Sequence, residues 1–329
     1  MTRRFIAFIL AFACGCLPAF AQSVSLDLVN EYPATSIPGE ADRFFAEQVA
    51  ARLGGRVAVR PVAAAQSGLR SREQIDAVAS GRVAMANTFG GAIGELDPVF
   101  AIASLPFLTP TVASAQRLYE LAEARYVQAF ASRNQKLLFV TPWPPSGLWT
   151  TRPVDSLAAL RSLRLRTYDA TGTTLFRRLA ASAEIVSFAD LEPRLAAGTI
   201  DAVLSSGDGG AGRRLWTRLP HFAAISYAIP LSFGTINLDV WNRLDAETRA
   251  SLEAIGRETS ARQWLAMTGR VEQNYATMRA NGMTIATTVP PDVLAALQEA
   301  AIPAIDAWAA KAGEDDRAVL SRFRAEPPR

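Results

Sequence analysis

Between Ser23 and Val62 the chain spells out a strand, a helix and a second strand in immediate succession. Apolar and polar residues alternate from Ser23 to Asn30, the pattern of a half-buried strand. Beyond Pro33 and Pro38, Ala41, Phe44, Phe45, Val49 and Leu53 recur at helical spacing until Gly54-Gly55 stops them, and Arg56 to Val62 reads as strand again. Such a unit commits the chain to a parallel sheet with a right-handed crossover. The grammar continues with a helix from Ser71 to Ala79, a stop at Gly81 and a strand from Val83 to Thr88.

After Leu157 the same grammar returns, with helices predicted at 156–160, 173–181 and 190–197 and strands at 163–167, 184–187 and 200–205. Setting Gly81 over Gly198 aligns helix, glycine, strand and a hydroxyl residue, Thr88 or Ser205. Helix–glycine–strand is also common α/β punctuation, so the echo reads either as that or as two similar lobes sharing a crevice. Asp245 to Asn281 is the longest helical pattern; about 37 residues would run roughly 55 Å, longer than one lobe needs, unless broken near Gly256 or Gly269. A further helix spans Asp292 to Trp308, with a kink or break expected at Pro303. From Glu314 the chain is polar and reads as a frayed tail.

The first 21 residues read as a cleavable export signal: Arg3 and Arg4, an apolar stretch from Phe5 to Ala13, and Ala19-Phe20-Ala21 before Gln22. Both cysteines, Cys14 and Cys16, lie inside it, so cleavage leaves a thiol-free chain; a lipid anchor at Cys16 is the alternative. No later stretch reads as long enough to cross a membrane. The expectation is an exported, soluble, periplasmic protein. Its 34 basic and 31 acidic residues come close to parity once Arg3 and Arg4 are lost, which gives no support for nucleic-acid binding.

Little in the chain marks catalysis. His221 is the only histidine, so His-rich zinc sites, Ser-His-Asp triads and Cys-His dyads are out of reach. The one acidic cluster, Glu314-Asp315-Asp316, reads as solvated tail. Gly207-Asp208-Gly209-Gly210-Ala211-Gly212 satisfies the dinucleotide fingerprint in the right context, but no Asp or Glu follows between Asp208 and Asp239 to hold a ribose. No cofactor and no metal site is expected. Arg166 closes a short apolar strand and is well placed to hold a carboxylate in a cleft. Trp143, Trp149, Tyr32, Tyr168, Phe89 and Phe233 stand near other strand ends, as core packing or as pocket wall.

Leu163-Arg164-Leu165-Arg166, the Glu184-Ile185-Val186 stretch and Leu195-Ala196-Ala197-Gly198-Thr199-Ile200-Asp201 together resemble the signature of the solute-binding receptors of TRAP transporters. Pro38-Gly39, Gly81, Ser104-Leu105-Pro106-Phe107-Leu108, and Asn237 with Trp241-Asn242-Arg243-Leu244 fit in order, and the resemblance covers about residues 25–310. It implies a two-lobed α/β periplasmic-binding-protein-like fold with a long helix spanning both lobes, and no catalysis. Lobe I would take 22–146 with about 235–282, and lobe II 147–234 with about 283–329. The function implied is capture of a small organic acid and its delivery to the membrane-embedded TRAP permease; a monomer is the simplest expectation.

By that resemblance Arg166 clamps the carboxylate. Thr88, Ser205, Ser206 and Asn237 are expected to supply neutral hydrogen bonds, with Trp149, Tyr32 and Tyr168 around the ligand. Many members carry a second arginine where this chain has Ser146-Gly147-Leu148-Trp149, and polar amides where it has Leu204-Ser205-Ser206. Fewer cations and more apolar surface favour a monocarboxylate with an apolar or aromatic body. The competing readings are an exported hydrolase or lyase working with carboxylates alone, and a receptor that signals to a membrane sensor.

Overall fold

The structure, a computed structural model, describes residues 24–325, so the leader and its cysteines lie outside the described residues. The chain opens β1 (Val24–Asn30), α1 (Ile37–Leu53), β2 (Val57–Val62), α2 (Ser71–Ala79) and β3 (Met85–Phe89), the parallel units read above. Then come α3 (Pro98–Ile102), α4 (Val112–Ala131), β4 (Gln135–Pro142) and β5 (Ser146–Thr150). The second α/β run is α5 (Leu157–Arg161), β6 (Arg164–Thr167), α6 (Ala170–Arg178), β7 (Ser182–Ile185), α7 (Leu191–Ala196), β8 (Ala202–Ser206), α8 (Gly207–Gly212) and β9 (His221–Ala223). The chain closes with β10 (Leu231–Asn237), α9 (Leu238–Arg243), α10 (Ala246–Ala280), β11 (Thr284–Ala286), α11 (Pro291–Lys311) and α12 (Glu314–Ala325).

The strands form two sheets, ordered β2-β1-β3-β10-β4 and β11-β9-β5-β8-β6-β7. Each is the spine of one lobe. The chain crosses between them at 143–146 and again before β10, which pairs antiparallel with both β3 and β4. β3, β5, β8 and β10 are buried along their whole length, as sheet centres covered on both faces must be. Gly81 (φ 73°) and Gly198 (φ 64°) both take the left-handed conformation that ends a helix and releases a strand.

α10 braces both lobes. Its first half packs so closely on the first sheet that a Cβ on Gly256 would come within 2.2 Å of the Leu138 carbonyl oxygen. The helix then bends at Thr268 (ψ 112°) and Gly269 (φ 85°), one of the two breaks expected, and Asn274 and Met278 reach α8 in the second lobe.

Four expectations need correction. α11 runs through Pro303 as a single helix instead of stopping there. By length and apolar composition α11 could also cross a membrane, but Val293, Leu297, Ala300, Ala301, Ala304 and Trp308 are buried against the lobes. The tail from Glu314 is not frayed: α12 buries Val319 and Leu320 in the first lobe's core beside α4, and Asp316 pairs with Arg125 at 2.8 Å. The stretch 283–329 therefore does not stay with lobe II. Trp308 donates to the Pro98 carbonyl at 2.8 Å, and from there on the chain belongs to lobe I.

Candidate functional site

The carboxyl ends of the parallel strands in both sheets face one another across a small cleft, as the topology of open α/β sheets dictates. Tyr32, just past β1, Phe89 at the end of β3, and Trp143 come from the first lobe; Ser146, Arg166, Tyr168, Ser205 and Ser206 come from the second, and Pro230 from the return crossing. The wall is aromatic. Tyr32 lies 4.6 Å from Trp143 and 5.7 Å from Phe89, and Phe89 meets Tyr168 edge-on at 5.2 Å, ring centre to ring centre.

Arg166 is 3% exposed. Its Nε donates to the Val186 carbonyl at 2.8 Å and its Nη1 to the Leu204 carbonyl at 2.9 Å, so adjacent chain segments fix the guanidinium plane. Neither carbonyl engages Nη2, and Tyr32 interacts with the guanidinium. The rings of Tyr168 and Phe188 lie 5.9 Å from the guanidinium carbon. Burial lowers the Arg166 pKa while Tyr32 and Glu31 oppose the shift. An arginine nevertheless stays charged. A buried cation so placed favours an anion that can share its fork. Burial also pushes the Tyr32 and Tyr168 hydroxyls far up, which keeps both as protonated donors. The Ser146 and Tyr168 hydroxyls lie 3.4 Å apart.

Of the residues expected around a ligand, Arg166, Tyr32, Tyr168, Ser205 and Ser206 come together here. Three do not line the cleft. Thr88 points away from its neighbour Phe89 and donates to Gln74 Oε1 at 3.0 Å. Asn237 sits at the opposite end of β10, caps α9 through the Val240 N–H (2.9 Å) and donates to the Val78 carbonyl at 2.7 Å. Trp149 is fully buried behind the wall, its Nε1 donating to the Ser206 carbonyl at 3.1 Å. Ser146 and Pro230 join the site without a sequence signal of their own, and Phe89 and Trp143 take the wall rather than the core alternative. The Trp143-Pro144-Pro145-Ser146 crossing was the available signal.

The glycine-rich run is not a phosphate loop. It forms α8 itself, capped by Ser206 Oγ on the Gly209 N–H at 3.1 Å. Its glycines admit Trp149, because a Cβ on Gly210 would stand 2.1 Å from the indole. Asp208 within it bridges the lobes, accepting from the Ile37 N–H at 2.8 Å and from Arg270 Nε at 2.6 Å. On another side of the cleft, Arg70 makes a two-pronged pair with Asp190 at 2.6 and 2.8 Å. The lobes are thus closed by polar contacts flanking an aromatic slot. Among the described residues no cluster of three or more His, Cys, Asp or Glu is arranged to hold a metal.

The family model described as bacterial extracellular solute-binding protein, family 7, matches residues 28–312. Among solved structures the chain is similar to DctP7 of Bordetella pertussis, an extracytoplasmic solute receptor binding pyroglutamic acid (26% identity, TM-score 0.87, 92% of this chain and 99% of that one). It is also similar to a marine metagenome TRAP solute-binding protein specific for pyroglutamate (24%, 0.87, 93% and 100%). A third is a TRAP periplasmic solute-binding protein from Desulfovibrio salexigens with bound orotic acid (18%, 0.83, 92% and 97%).

Proposed function

The chain belongs to family 7 of the bacterial extracellular solute-binding proteins, and we propose that its ligand is a small cyclic monocarboxylate of the pyroglutamate kind. The observation that carries this reading is a single cation in an aromatic slot: among the described residues lining the cleft, Arg166 alone is charged. A carboxylate takes the free edge of the Arg166 fork. The ring lies among Tyr32, Phe89, Trp143 and Tyr168, and the hydroxyls of Ser146, Ser205 and Ser206 meet its remaining polar atoms. The pyroglutamate receptors of similar structure support the same class of ligand.

Capture proceeds without turnover. Ligand enters between open lobes, and its contacts to Arg166 on one lobe and to the aromatic rings of the other favour closure. The closed receptor then delivers its cargo to the membrane-embedded TRAP permease. It works as a monomer in the periplasm, after cleavage of the leader behind Ala21.

A thermal-shift screen across organic acids tests this. A ligand at a hundredfold excess over Kd adds about 2.7 kcal/mol, several degrees in Tm for a chain of this size. Pyroglutamate and other compact cyclic monocarboxylates are expected to raise Tm and succinate is not. A shift with succinate and none with any monocarboxylate overturns the proposal.

A further inference from the structure

Directly behind the cleft wall lies a second buried charge that no ligand contact requires. Glu31 follows β1 and is 2% exposed. Its Oε2 accepts from the Ser71 N–H at 2.8 Å and the Ser71 hydroxyl at 2.7 Å, both in the first lobe. Its Oε1 accepts from the Ala189 N–H at 2.9 Å and from the Ser187 hydroxyl, both in the second. Four donors converge on it, an arrangement that suits an ionised carboxylate.

The segment Glu31 grips is the one that grips Arg166. Val186 takes the Arg166 Nε, the Phe188 ring lies 5.9 Å from the guanidinium, and Glu31 holds the residues on either side of Phe188. Tyr32, next in sequence, stacks on that same Phe188 at 4.5 Å while lining the cleft. The two charges therefore share one wall without a direct hydrogen bond, and the Glu31 charge acts to hold the proton on Arg166. Nearby Arg70 is committed to Asp190. Arg213 is half-buried, stacks on Phe188 at 5.2 Å and does not line the cleft.

We propose that Glu31 is a charge filter: by offsetting Arg166 from behind the wall, it lets the closed cleft take one negative charge and repel a second. A monocarboxylate adds one negative charge, which the Arg166 guanidinium meets directly. A dicarboxylate brings an excess negative charge into a site that excludes water, facing a like charge that closure itself locks in place. This inference rests on the carboxylate reading above and adds the reason a second carboxylate is refused.

Calorimetric titration with pyroglutamate, succinate and succinamate, which matches succinate in size but carries one charge, separates the possibilities. The wild-type protein is expected to bind succinamate at least about tenfold more tightly than succinate. Glu31→Gln is expected to shrink the preference for pyroglutamate over succinate by about tenfold or more, with succinate affinity rising in absolute terms. Glu31→Asp keeps the charge but shortens the reach, so it weakens both ligands and keeps their ratio. Equal wild-type binding of succinamate and succinate overturns the filter even if the Gln variant does not fold. A Gln variant whose ratio stays within about threefold of wild type overturns it too and leaves Glu31 as a strut between the lobes. Binding of no carboxylate at all by the wild type sinks the proposed function instead, and the filter with it.

Discussion

Replacing Arg166 separates a ligand clamp from a core ion. Two of its donors are spent on the Val186 and Leu204 carbonyls at 2.8 and 2.9 Å, so the side chain is held in place before ligand arrives. Arg166→Ala removes the only charged group among the described residues lining the cleft. Removing one partner of a buried, hydrogen-bonded charge pair costs about 2–5 kcal/mol, or roughly 30-fold to several thousand-fold in Kd. The fold should suffer less, because the two carbonyls left unpaired are offset by relief from burying a cation. Arg166→Lys keeps the charge, yet one ammonium cannot serve both carbonyls and a carboxylate fork, so a loss of about tenfold or more is expected there too. Calorimetric titration with the ligand found in the screen measures both variants, and circular dichroism confirms that they fold. An Arg166→Ala protein that folds and keeps its affinity within about threefold refutes the reasoning.

Four further outcomes follow from the geometry. Gly210→Ala drives a methyl group into the Trp149 ring, 2.1 Å from an indole carbon, and should cost about 1–3 kcal/mol by overpacking; an unchanged Tm counts against that packing. Asp316→Ala strips Arg125 of its 2.8 Å partner under α12 and leaves Asp97 at 3.3 Å, an expected loss of about 1–3 kcal/mol in denaturant unfolding. If α12 is an incidental tail, no loss is seen. Asp208→Asn weakens the pair with Arg270 that ties the lobes together, so small-angle scattering without ligand should show a larger radius of gyration than wild type; an equal or smaller one contradicts the role of that contact.

The fourth concerns pH. Burial pushes the carboxyls of Asp42 and Asp169 up to about 7, far above the ~3.9 of an unfolded chain. The folded protein holds protons there that the unfolded chain has released. That stabilisation is fully present below about pH 4 and is lost as pH rises through 7. Tm should therefore be higher at about pH 5.5 than at about pH 8, and Asp169→Asn should narrow the gap. A flat or reversed trend disproves the assignment.

The α/β framework was legible because glycine stops and apolar periodicity are local signals: α2 and the Asp245 and Asn281 caps of α10 fall where the sequence puts them. Arg166, Tyr32, Tyr168, Ser205 and Ser206 were legible as neighbours because every parallel strand delivers its carboxyl end to the same crevice. What failed was facing and direction. β3 is buried on both sides, so no alternation tells that Phe89 faces the cleft and Thr88 faces Gln74. Asn237 ends a strand as Arg166 does, but β10 runs antiparallel to β3 and β4, which puts its carboxyl end at the far edge beside Gln135. α12 was missed because its buried face is only Asp316, Val319 and Leu320, too sparse a stripe to read as a packed helix.

A crystal structure with pyroglutamate, or with whichever monocarboxylate gives the largest thermal shift, tests the central claim most directly. The carboxylate should lie within hydrogen-bonding distance of the Arg166 guanidinium, with the ring enclosed by Tyr32, Phe89, Trp143 and Tyr168. A ligand whose carboxylate is held elsewhere, with Arg166 still bonded only to the carbonyls of Val186 and Leu204, would contradict it.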